Sequence, residues 1–147
     1  YRINHVENVS QKKINYKLVL MKNKFAALQY KTTDKIDVAS ANDAQSILIK
    51  CYDELLKSIK SFQDNIVPNT DNFRKKSNSF SKALTIIYTL QSSIDFEKDL
   101  NIAKNLFQIY EFTRMALINE FKTCHVERSL LAASALKEIR DTWRDIR

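Results

Sequence analysis

Glycine is absent from all 147 residues. An average chain of this length carries about ten. Glycine is the residue that accepts positive φ and lets a backbone approach a phosphate closely. Its absence excludes the P-loop, the Rossmann fingerprint, the glycine-rich kinase lid and the G-x-S-x-G nucleophile elbow. The favoured residue of two-residue hairpins is missing as well. Long apolar runs are also lacking. Nothing approaches the ~18 residues that a membrane span needs, and residues 1–20 contain no apolar h-region of a signal peptide. The two cysteines, Cys51 and Cys124, are too far apart for a C-x-x-C or zinc pattern. They read as reduced, half-buried thiols of a cytosolic protein, with a disulfide left open on sequence alone.

The net charge of +7 is unevenly placed. Residues 1–37 carry eight Lys/Arg and three Asp/Glu, a balance of +5, and the remaining sixteen and fourteen leave only +2 for residues 38–147. The basicity therefore belongs to an N-terminal arm and not to a stripe on a folded face, where nucleic-acid binders usually carry it. The cluster Arg74-Lys75-Lys76 reads as the exposed face of a helix start. Within the arm, Lys12 to Leu20 forms a weak helical stretch, and residues 1–20 are compatible with an extension upstream of a start at Met21.

What is present is helical periodicity. A first helix is expected from Asn42, a capping residue with Gln45 three positions on. Ile47, Leu48, Cys51, Tyr52, Leu55, Leu56, Ile59 and Phe62 follow at helical spacing. It ends by Asn65, before a loop around the single proline, Pro68. A second helix starts at Thr70 or Asp71, with one stripe at Phe73, Phe80, Leu84 and Ile87, and a second at Ala83, Ile86 and Leu90. Ile94 to Lys98 reads as a continued helix or a short break, with Asp95 and Asp99 as caps. A third helix, about 99–121, is apolar around more than half its circumference. Such a helix is either central to a bundle or exposes a binding face. A fourth, about 126–146, places Leu130, Leu131, Ala135, Ile139 and Trp143 inward. The fold class is all-α: an antiparallel four-helix bundle over residues 38–147, preceded by the arm, residues 1–37.

The residues that carry chemistry are sparse. His5 lies in the arm and His125 in a turn, so neither suits histidine phosphotransfer from mid-helix. The inward Glu-x-x-His pairs of a di-iron bundle are missing. Asp53-Glu54 and the Glu97/Asp99 pair read as solvated faces and caps, and Cys51 sits on an apolar stripe. No catalytic residue, no metal ligand and no cofactor is expected, and the protein is read as a non-enzyme.

Five segments resemble one family. Ala83 to Glu97, reading A-L-T-I-I-Y-T-L-Q-S-S-I-D-F-E, resembles the second helix and following turn of the flagellar secretion chaperone FliS family. Ile102 to Phe112, reading I-A-K-N-L-F-Q-I-Y-E-F, resembles its third helix. Glu138-Ile139-Arg140-Asp141-Thr142-Trp143 is similar to the closing L-R-x-x-W. Val38-Ala39-Ser40 followed by Ile47 to Asp53 is similar to the opening A-S-P-x-x-L segment, and Phe25 to Gln29 to a Y-x-x-Y-Q arm. Ser40-Ala41-Asn42 lacks the usual Ser-Pro, and Leu28 replaces the arm's second tyrosine. The resemblance runs in order over about residues 22–147.

The resemblance implies a cytoplasmic export chaperone. Such a protein binds the C-terminal segment of flagellin, prevents premature polymerisation and assists delivery to the flagellar type III export gate. Together with the second stripes it places a partner-binding groove at Ile86, Leu90, Phe107, Tyr110 and Leu117, covered in the absence of a partner by an arm that includes Phe25 and Leu28. The competing reading of each groove position is ordinary core. Trp143 and Ile139 read as core staples. No membrane insertion is expected, and a monomer or a homodimer both fit. Two alternatives stay open: a helical module whose basic arm contacts nucleic acid, and a degenerate family member acting as a scaffold. Because Asp99-Leu100 contains no glycine, the connection between the second and third helices is expected to be straighter or longer than the family's usual turn, and positive φ at Asp99 or Leu100 would contradict this.

Overall fold

A computed structural model describes residues 41–68 and 70–145, with side chains described from residue 45 onward except at 70. The arm, including Phe25 and Leu28, lies outside the described residues. Within the described residues four helices follow one another: α1 (Ala41–Asp64), α2 (Thr70–Ser92), α3 (Leu100–Thr123) and α4 (Arg128–Asp145). α1 packs against α2 and α4, and α3 packs against the same two, which closes a four-helix bundle.

Polar side chains end the helices where glycine is unavailable. Asn65 closes α1 by donating from its Nδ2 to the Ser61 carbonyl at 2.7 Å. Asp99 caps α3. Its backbone is extended (φ −125°, ψ 105°), and its carboxylate accepts from the N–H groups of Asn101 and Ile102 at 3.1 and 3.2 Å. Capping of this kind is worth about 1 kcal/mol. Neither Asp99 nor Leu100 takes positive φ, the observation that would have contradicted the expected junction. Among the described residues, positive φ occurs only at Cys124, at 57°, where the chain leaves α3.

The core is built from the periodic residues. Tyr52, Leu55, Ile59 and Phe62 of α1 meet Ala83, Ile87 and Leu90 of α2, Leu106, Tyr110 and Leu117 of α3, and Leu136, Ile139 and Trp143 of α4. Each large apolar side chain removed from water contributes roughly 1.5–3 kcal/mol. Two aromatic clusters lie within it. Tyr52 meets Trp143 edge-on at 4.9 Å and bonds through its hydroxyl to that of Tyr110. Phe62, Phe80 and Phe121 form the second, with Phe80 and Phe121 at 4.5 Å. Along the α1–α4 seam, Gln45 bonds to the Trp143 carbonyl, Asp53 pairs with Arg140 at 2.9 Å, and Gln63 donates to Ser129 at 2.8 Å.

Several expected inward residues sit outside, for identifiable reasons. Leu130 is exposed. It precedes Ile139 by nine positions, half a turn around the helix at 100° per residue. The inward face of α4 is instead Ser129, Ala132, Ala135, Leu136, Ile139 and Trp143. Ile47 and Phe73 are exposed too. None of residues 71–75 is buried, so the buried part of α2 begins only at Lys76. Lys76 itself was expected at the surface with Arg74 and Lys75, yet it is buried. Its Nζ donates to the Phe121 carbonyl at 3.2 Å and lies 4.8 Å from the centre of the Phe121 ring. A cation there meets the negative end of α3.

Candidate partner-binding surface

The seam between α2 and α3 carries the exposed apolar surface nearest the resembling segments. Phe107 projects from α3 and meets Phe96, from the connection before it, edge-to-face at 6.0 Å. The two rings are 38% and 41% exposed. Leu100 is exposed seven residues before Phe107, on nearly the same side of the helix. Tyr88 stands out from α2 with 72% of its surface exposed. Aromatic rings held half in water are the usual anchors of protein interfaces.

A polar clasp fixes this seam. Gln91 of α2 donates to Glu111 at 2.9 Å and to the Phe107 carbonyl at 3.4 Å. Arg114 donates to Glu111 from Nε and Nη2 at 2.9 and 2.8 Å. The Arg114 hydrogen bonds, and then that from Gln91, hold the Glu111 carboxyl below the usual carboxylate range. The strip along α3 is therefore apolar at Leu100 and Phe107 and charged one turn further on.

The five groove residues read from sequence fall in three places. Leu90, Tyr110 and Leu117 are in the core, at 3%, 0% and 0% exposure. Ile86 is half-buried, one turn after Lys82, which pairs with Glu54 of α1 at 2.8 Å; it belongs to the α1–α2 seam. Phe107 alone of the five is exposed, on the α2–α3 seam. The structure thus brings Leu90, Tyr110 and Leu117 together beneath the surface and sets Ile86 and Phe107 on opposite flanks of α2. Phe96, Leu100 and Tyr88 were not singled out for this surface. Their signal was available: Phe96 and Leu100 are large apolar residues at or beside a helix start, and Tyr88 lies outside the main stripe of α2.

The groups that elsewhere carry chemistry are engaged structurally. Asp53 accepts from Arg140 and Arg144, and Glu54 from Lys82. Asp99 is a cap, and Asp95 accepts from the Glu97 N–H at 3.0 Å. Both cysteines are free and half-buried. Burial pushes the Cys51 thiol up, away from the thiolate a nucleophile needs. Among the described residues, no group of three His, Cys, Asp or Glu side chains is placed to hold a metal ion. None of the described helices is long and apolar enough to cross a membrane.

The family model described as Flagellar protein FliS matches residues 26–147. No curated protein and no solved structure matches the chain. The family match spans the whole bundle and the end of the arm, and within the described residues the segments that carry the resemblance fall on all four helices. The chain belongs to the FliS family of flagellar chaperones.

Proposed function

We propose that this protein is a cytoplasmic export chaperone that binds the C-terminal segment of flagellin. In this role it blocks premature polymerisation and assists delivery to the flagellar export gate. The observation that carries the reading, beside the family match, is the exposed pair Phe96–Phe107 with Leu100 beside it on the α2–α3 seam. An amphipathic helix anchors on such a surface through residues at i, i+3 or i+4 and i+7. Burial of apolar area stabilises the complex by about 25 cal/mol per Å². Ordering a segment that is disordered when free offsets several kcal/mol of this, which keeps binding reversible, as delivery requires. Phe107 is the direct contact. Ile86 gives a second contact across α2, and Leu90, Tyr110 and Leu117 support the surface from below. The arm, through Phe25 and Leu28, covers the surface until the partner arrives.

Calorimetric titration of the full chain with the C-terminal segment of the cognate flagellin tests this. Binding at micromolar concentration is expected, and Phe107→Ala weakens it about tenfold or more with helicity intact. Absence of heat and of any complex at that concentration removes the chaperone reading. Loss of binding in Ile86→Ala alone, with Phe107→Ala neutral, moves the site to the α1–α2 seam.

A further inference from the structure

Lys76 and Cys124 form a pair that the partner-binding surface does not use. Lys76 comes from α2, is 4% exposed, and places its Nζ 3.2 Å from Cys124 Sγ. None of the ion pairs among the described residues includes it. Its neighbours are that sulfur, the Phe121 carbonyl and the Phe121 ring. A buried ammonium without a carboxylate is costly to maintain, so an amine fixed here against a sulfur atom is a specific arrangement. Cys124 is specific too. It takes the left-handed conformation (φ 57°, ψ 34°) at the C-cap of α3, where glycine and then asparagine are the usual occupants. The helix end leaves Cys124 half-buried, with the Lys76 amine against its sulfur.

We propose that Lys76 and Cys124 form an oxidation-sensitive cross-linking site at which hydrogen peroxide joins the two side chains as a sulfenamide. In the first step the Cys124 sulfur attacks one oxygen of the peroxide. The S–O bond forms, the O–O bond breaks and one water leaves; sulfur is oxidised by two electrons and the peroxide is reduced by two. In the second step the Lys76 nitrogen, having released its extra proton to solvent, attacks that sulfur. The N–S bond forms, the S–O bond breaks, and the hydroxide departs as a second water with a proton from the amine. Thiol, amine and one peroxide thus give a sulfenamide and two waters, with no further oxidant. Sulfenic acids condense in this way with a nitrogen held close by. The 3.2 Å approach supplies the proximity that a free lysine lacks. The product ties α2 to the end of α3 across 48 residues of chain, and a thiol reductant reverses it.

The experiment is peptide mapping by mass spectrometry of the folded, full chain treated with a small excess of hydrogen peroxide. The expected product is lighter by two hydrogens, about 2 Da. It contains a cross-linked peptide joining Lys76 to Cys124, lost on treatment with dithiothreitol. Lys76→Arg, which keeps the charge but removes the primary amine, is expected to gain about 16 Da or more at Cys124 as oxygen adducts. The proposal is overturned if the unsubstituted chain gains oxygen at Cys124 without the cross-link, if Cys124 pairs with Cys51 or with a second copy instead, or if Cys124 does not react. The mapping on the unsubstituted chain decides the question even where Lys76→Arg fails to fold.

Discussion

The two connections at either end of α3 solve the same problem in opposite ways. The connection into α4, residues 124–127, is held by side chains from neighbouring helices. Glu120, 1% exposed, accepts from the backbone N–H groups of Glu127 and Ser129 at 3.0 and 2.9 Å, and from the Ser129 hydroxyl at 2.6 Å. Gln63 of α1 donates to the same hydroxyl, and Lys76 of α2 closes the end of α3. The connection from α2 to α3, residues 93–99, is held by its own carboxylates, Asp95 and Asp99. These two carboxylates cap the backbone from within the connection, and Phe96 and Leu100 lie at the surface beside them. One end specifies the bundle, and the other leaves apolar surface available to a partner.

The largest effect that breaks this contrast is Glu120→Ala. It strips the N–H groups of Glu127 and Ser129 and the Ser129 hydroxyl of a buried acceptor. A cost of about 3 kcal/mol is expected, read as a lower urea midpoint with an unchanged m-value. A cost below about 1 kcal/mol shows that water replaces the carboxylate, and the two connections are then alike. Phe107→Ala sharpens the other side. Its ring is partly exposed already, so folding stability falls by no more than about 1 kcal/mol, while binding of the flagellin segment falls by about 1–2 kcal/mol. Leu117→Ala is the control from the core beneath, where a loss of about 2–5 kcal/mol of stability is expected. Equal stability losses for Phe107→Ala and Leu117→Ala contradict the division between surface and core.

These pairs also show where the sequence was legible. Helix positions, the break at Asn65 to Pro68 and the Asp99 cap all follow from periodicity and capping chemistry. The exposed Leu130 did not, because it was grouped with Leu131, Ala135 and Ile139 although it lies half a turn from Ile139. Ser129, a polar residue, turned out to mark the inward face. Glu120 and Lys76 were passed over because a hydrophobic pattern counts any charge as outward. A physical signal was nevertheless there. Glu120 lies in the last turn of α3, where the helix dipole disfavours a carboxylate, so its place is explained by a partner outside its own helix. The second stripes and the family resemblance together grouped Phe107 with Tyr110 and Leu117, and the packing of α2 and α4 on α3 separates them, burying the last two and leaving Phe107 exposed.

Smaller effects test the caps themselves. Asp99→Ala is expected to cost about 1 kcal/mol, and Cys124→Gly to gain up to about 1 kcal/mol by relieving the left-handed backbone. Opposite signs at the two ends of one helix follow from their conformations, extended at Asp99 and positive φ at Cys124. Thermal melts of the two variants read this directly. Matching signs rule out backbone conformation as the cause.

The smallest effect is electrostatic. Arg114 and Gln91 hold Glu111 below its ordinary value of 4.5. A carboxylate with a lowered folded pKa contributes stability that is fully present above the unfolded value and is lost as pH falls through the folded one. The contribution of the Gln91–Glu111–Arg114 clasp therefore belongs to neutral pH and disappears in acid below about 4.5. Its side chains are 35% and 39% exposed, so solvent screening limits the contribution to at most about 0.5 kcal/mol. Glu111→Gln should lower stability slightly at pH 7, and the difference from the unsubstituted chain should vanish in acid. A difference that is the same at pH 7 and in acid assigns the clasp to neutral hydrogen bonding. In that case the α2–α3 seam depends on its charges no more than the junction around Glu120 depends on Phe107.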